Sequence, residues 1–125
     1  MQVYTIFQYL FHRDINSRTK LTITNVNENI TLSTTFSKAY KIGGKLLYLC
    51  VKGSASTEIV NQMLFSVQSS GQVLSSSTVI IGIGTDWNID SAGYAYISTD
   101  GNDAFVTARI PANKWFHINI LLPLA

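Results

Sequence analysis

KLLYLCVK, residues 45–52, is the stretch on which the fold of this chain turns. An extended strand points alternate side chains to opposite faces. Leu46, Tyr48 and Cys50 then share one face, Leu47, Leu49 and Val51 share the other, and both faces are apolar. In a small antiparallel protein one face normally meets the core and the other meets water. Something besides the core has to cover the second face of this strand.

The double-sided pattern recurs. In KWFHINILL, residues 114–122, Phe116, Ile118, Ile120 and Leu122 form an apolar face, while Trp115, His117, Asn119 and Leu121 form a mixed one. In the amino-terminal stretch, Tyr4, Ile6 and Leu10 oppose Val3, Phe7, Tyr9 and Phe11. Helical periodicity is almost absent. Period-two or doubly apolar runs separated by Gly, Asn, Asp and Ser predict strands near 3–11, 20–25, 30–37, 45–52, 59–68, 78–83, 93–99, 103–109 and 115–122. TEIVNQMLF, residues 57–65, also fits a short helix capped by Thr57, but the alternating residues 65–68 after it favour a strand. Asp100-Gly101 lies between two alternating runs, as a tight hairpin requires, so Ile97 should pair with Phe105 or Val106. Many short strands without crossover helices predict an all-β chain, an antiparallel β-sandwich of jelly-roll type.

Its 125 residues are the size of one domain, residues 1–125, with a core that needs no staple. Charge is scarce: Asp, Glu, Lys and Arg make up 13% of the chain, against roughly 25% in an ordinary soluble domain. So weakly self-repelling a surface suits a chain that assembles with others or works outside the cytosol. With no helices to cover the outer faces, a further subunit is the most economical cover.

Net charge is +2, too little for a nucleic-acid footprint, and no block of like charges forms an arm or tail. The lone Cys50 allows no intrachain disulfide and no cysteine metal site. The apolar amino end lacks the leading charges and small-residue cleavage site of a signal peptide, and it is about half as long as a bilayer-crossing helix. Neither membrane insertion nor a cofactor is expected, and export would need a route such as assembly in a host cell and release by lysis.

Catalytic patterns are thin. His12 and His117 are the two histidines, and no G-x-S-x-G elbow marks a serine nucleophile. Asp86 and Asp90 are the nearest suggestive pair of acids for glycoside hydrolysis. Asp86, Asn88 and Asp90 alternate as oxygen ligands for calcium do, but the Gly and later Glu of a calcium loop are missing, so a turn is the expectation and no metal is assigned. The G-x-G of GIGTDW opens no helix and cradles no phosphate. Asn29-Ile30-Thr31 fits a glycosylation sequon, a pattern common by chance.

Saccharide binding asks for an aromatic platform and a few fixed polar groups. Trp87, between Asp86 and Asn88 with Asp90 close by, offers both; its alternative role is a plug at the end of the sandwich. Trp115 with His117 is a second candidate patch, whose alternative is packing between subunits. Tyr94 and Tyr96 share one strand face and border either site.

AYKIGGKLLYLCVKG, residues 39–53, resembles the opening of head domains in bacteriophage tail fibres and receptor-binding proteins. GYAYISTDGNDAFVTARIPANKWFHINILLPLA, residues 93–125, resembles their closing pattern of strand, glycine turn, strand and aromatic-rich last strand. The match spans roughly residues 36–125, a pattern of strands and turns with Ile83-Gly84 where Leu-Pro commonly follows the middle strands. The resemblance implies a trimeric β-sandwich in the virion tail, assembled in the host cytoplasm, that binds host cell-surface saccharide beside other tail proteins; the family's usual long shaft is missing, so the chain reads either as an excised head or as a small tail protein that docks or oligomerises through residues 1–35. It gives the apolar second faces a cover, with Tyr48 and Trp115 at the subunit interface. Carried onto this chain, its saccharide-binding positions are Asp86, Trp87 and Asp90, with Arg109 and His117. Two further functions stay open: a virion assembly protein without ligand, and a small glycan hydrolase.

Overall fold

The computed structural model describes residues 18–73 and 77–125. Ten strands follow in order: β1 (Thr19–Leu21), β2 (Ile23–Asn25), β3 (Ile30–Leu32), β4 (Lys38–Ile42), β5 (Leu46–Ala55), β6 (Ile59–Val67), β7 (Ser77–Gly84), β8 (Ile89–Asp100), β9 (Asp103–Ile110) and β10 (Trp115–Pro123). Every pairing between them is antiparallel. The all-β, antiparallel expectation therefore holds. The ladders, however, join into one sheet of order β1-β4-β5-β10-β7-β8-β9-β6-β2, with β3 beside β4 on the same edge of β5, rather than into the two stacked sheets of a jelly roll. The expected strand at 3–11 lies outside the described residues. Among the described residues, no helix is long and apolar enough to cross a membrane.

The sheet curls until its ends nearly meet. Residues 19–25 do the joining: β1 pairs with β4 through Lys20↔Tyr40, and β2, one residue later, pairs with β6 through Thr24↔Ser66. Thr22, between them, accepts a hydrogen bond from the Gln68 backbone N–H at 3.0 Å. One extended segment thus serves both edges of the wall. Across the remaining gap, Asn25 Nδ2 donates to the Ile30 carbonyl of β3 at 2.7 Å.

The opening strand sorts its faces cleanly. Leu47, Leu49 and Val51 of β5 are fully buried and point inward, while Leu46, Tyr48 and Cys50 are half-buried on the outer wall. The inward set continues with Ile118 and Phe116 of β10, Ile81 of β7, Ile97 of β8, Val106 and Ile110 of β9, and Phe65 of β6. Part of the outer cover is local: Tyr48 sits between Tyr40 of β4 and Leu121 of β10 in register. Leu121 itself stays exposed, and elsewhere the outer wall is bare at Ile80, Tyr94 and Tyr96.

Two turns carry the sequence signals that shape this sheet. Gly43 and Gly44 join β4 to β5 with φ of 59° and 69°, the paired left-handed conformation of a type I′ hairpin, and the Lys45 N–H closes it on the Ile42 carbonyl at 3.1 Å. That turn makes residues 38–42 a strand, where the sequence pattern alone placed none. At the other hairpin, Asp100 pairs with Asp103 and Ile97 with Val106, as the Asp-Gly signal predicts. The segment open between helix and strand is β6. Its alternation fails because the register with β9 shifts twice, and Asn61 adopts φ of 51° at the first shift.

Candidate functional site

The candidate site is built around the loop joining β7 to β8, residues 85–88. The loop starts where Gly84 lies against it, since a Cβ at that position would overlap the Asn88 carbonyl oxygen. The Thr85 backbone N–H donates to that same carbonyl at 2.8 Å, closing a tight turn. Trp87 projects from the tip and is 86% exposed, so it stands in water rather than plugging the end of the sheet.

Two side chains from the wall fix the loop. His117 of β10 places Nε2 2.8 Å from the Thr85 carbonyl oxygen. A carbonyl only accepts, so this contact puts a proton on Nε2. Lys52 of β5, opposite His117 in the ladder, extends Nζ to 2.5 Å from Asp86 Oδ1.

The surroundings of Lys52 explain why a lysine stands at the end of an apolar face. Its Nζ lies 4.9 Å from the Phe36 ring centre and 5.5 Å from that of Trp115. Such distances give a cation–π attraction to each ring. Residues 33–37, between β3 and β4, arch over Lys52 and carry Phe36 onto it. The Ser33 N–H and the Ser37 hydroxyl donate to the Lys52 carbonyl at 2.8 and 3.1 Å, and the Lys52 N–H donates to Ser37 Oγ at 3.2 Å. The lysine side chain is left 18% exposed, its charge met by one carboxylate and two aromatic faces.

The structure brings Asp86, Trp115 and His117 together around this lysine, with Trp87 beside Asp86 at the exposed tip of the loop. Asp90 lies further along, in β8, where its Oδ2 is 3.8 Å from Lys114 Nζ. Asp86 and Asp90 thus turn to different lysines, and among the described residues no group of three His, Cys, Asp or Glu side chains could hold a metal ion. Arg109 is elsewhere. It stands on β9, 3.8 Å from Glu58, beside a groove of about 430 Å³ lined by Asn61, Ser91, Tyr94 and Pro111 but by no residue of the 85–88 loop.

Sequence reasoning missed Lys52, Phe36 and Thr85. The signal for Lys52 was on the page: the outer face of its strand runs Leu46, Tyr48, Cys50, Lys52, and a charge closing such a row needs a partner. Phe36 and Thr85 reach it only through loop geometry, which no periodicity encodes.

Comparisons with protein-family models, with curated proteins and with solved structures find no match to this chain.

Proposed function

We propose that the chain is a phage tail module that recognises a host cell-surface saccharide through the 85–88 loop, without covalent chemistry. The observation that carries this is Trp87: an indole 86% exposed, on a loop pinned at Thr85 by His117 and at Asp86 by Lys52. Exposing so large an aromatic costs solvation and is useful when a flat apolar ligand face stacks on it. Pinning lowers the ordering cost of binding. Asp86 meets Lys52 through Oδ1 and Asp90 meets Lys114 through Oδ2, so each keeps its second oxygen for sugar hydroxyls. The strand-and-turn resemblance to receptor-binding heads supplies the biological setting, including the virion tail, tail-protein partners and a trimer. Repetition in a trimer would turn weak single sites into firm attachment through effective concentration.

The test is a pull-down or calorimetric titration with polysaccharide from candidate host cell walls. Trp87→Ala should weaken binding at least tenfold while leaving the melting temperature unchanged. Equal binding by the variant removes the site.

A second reading, a virion assembly protein without ligand, draws on the bare outer wall at Ile80, Tyr94, Tyr96 and Leu121. A glycan array without hits, beside a stable oligomer in light scattering, would favour it. Hydrolysis has less support. It asks for two facing carboxylates, and here the two acids of the loop region address separate lysines.

A further inference from the structure

The wall has an open seam between β8 and β9. β8 pairs with β7 from Ser77↔Ile97 to Gly84↔Ile89, but with β9 only from Ala95↔Ala108 to Asp100↔Asp103. Beyond Ala108, β9 keeps its pairing with β6 alone, on its other edge, to Ile59↔Ile110. Residues 89–94 of β8 therefore have no ladder partner on that side among the described residues. The groove of about 430 Å³ occupies the gap, with residues 91–94 on one bank and Asn61, Arg109 and Pro111 on the other. On the far bank, Asn61 adopts φ of 51° where the register of β6 with β9 shifts.

A free strand edge is a row of unpaired N–H and C=O groups, and proteins usually blunt it with lysine, proline or a covering loop. This edge is little blunted. Among its free residues 89–94, IDSAGY, Asp90 is the one charge and none is proline, and Ser91, Ala92 and Gly93 are small enough for another backbone to approach. The charges at its margins are engaged, Asp90 with Lys114 and Arg109 with Glu58. Beside the edge, on the outer wall, the cross-strand pair Ile80 and Tyr94 is 68% and 67% exposed.

We propose that this edge accepts a strand donated by a second copy of the chain, and that the donated strand is residues 3–11, VYTIFQYLF. That stretch lies outside the described residues. It is uncharged, rich in β-branched and aromatic residues, and nine residues long against the six of the free edge. Strand addition draws affinity from main-chain hydrogen bonds and specificity from alternate side chains in the flanking groove. A second copy is the donor, because a strand arriving with its own barrel also covers Ile80 and Tyr94, which a strand from the same chain would leave bare. The proposal stands independently of saccharide binding at Trp87.

Disulfide trapping on the full chain tests it, in a Cys50→Ser background. One preparation carries Ala92→Cys and the other carries Thr5→Cys, Ile6→Cys or Phe7→Cys, so that the trial covers both strand faces. Mixing and mild oxidation should give a covalent dimer with one chain of each kind. Amides of residues 91–94 that point at the edge should exchange at least tenfold more slowly in the unmodified chain than in an Ile6→Lys, Phe7→Lys variant. Three results overturn the proposal: an Ala92→Cys preparation that dimerises with itself alone, a chain with both cysteines that closes only on itself, or edge amides that exchange equally fast in the unmodified chain and the lysine variant.

Discussion

Phe65 of β6 and Phe116 of β10 meet across the interior, ring centres 6.5 Å apart and planes 13° from parallel. Three strands, β7, β8 and β9, separate β6 from β10 along the sheet, so the contact exists only because the sheet curls on itself. Both rings are fully buried. Removing either leaves a cavity bounded by opposite walls. Phe116→Ala or Phe65→Ala should each cost about 3–5 kcal/mol. The double variant should fall short of the sum by about 0.5–1.5 kcal/mol, since the rings share one contact. Chemical denaturation of the four proteins measures this; strict additivity would mean the walls do not touch.

Gly53 and Gly84 hold close approaches, and Gly84 is the one that matters for the site. Gly84→Ala drives a methyl into the Asn88 carbonyl, and the 85–88 loop must shift. The expected cost is about 1–3 kcal/mol. A change in the His117 ring resonances should accompany it, because Thr85 leaves Nε2. Unchanged His117 signals would show that the loop absorbs the methyl without moving its anchor.

Lys52→Met keeps most of the stem and removes the charge between Phe36 and Trp115. Asp86 is about half exposed, so water screens much of the pair and the loss should be about 1 kcal/mol. The larger effect is on order. Amides of residues 85–88 should exchange faster in the variant. In the unmodified protein, 1 M salt should weaken the pair only partly, because the lysine side is shielded. Full sensitivity to salt would place the ion pair in open water.

Tyr48 should set an alkaline limit on the fold. Burial pushes its hydroxyl above the usual tyrosine value, and the neighbouring Cys50 adds to the shift through a hydrogen bond and its charge. The neutral phenol is therefore the form the fold prefers. Its contribution is fully present below the unfolded tyrosine value, about 10, and is lost as pH rises through the higher folded value. Tyr48→Phe should flatten the fall in melting temperature above that point while leaving neutral pH little changed. An identical alkaline profile in the variant would assign the limit to another group.

Alternation made β5 and β10 legible, because every second residue from Leu47 to Ala55 and from Phe116 to Ile118 is core. The Asp-Gly hairpin was equally open to reading, since its chemistry is confined to adjacent residues. Curling was not legible. It rests on Thr22 splitting one segment between two ladders and on bulges in β6, both decided by contacts far apart in sequence. The same holds at the site. Trp87 and Asp86 announce themselves as loop residues, but the lysine that anchors them comes from more than thirty residues earlier, and its second ring from the arch before β4. Arg109, grouped with them from sequence, belongs to another groove because β9 leaves β8 before reaching it.

Residues 19–25 close the wall with three residue pairs on each side. Tension applied at the amino end would reach these six pairs before any of the long ladders. Under load the molecule should therefore yield there first and unroll, keeping its remaining strands aligned as a ribbon that can wind up again once the pull is released.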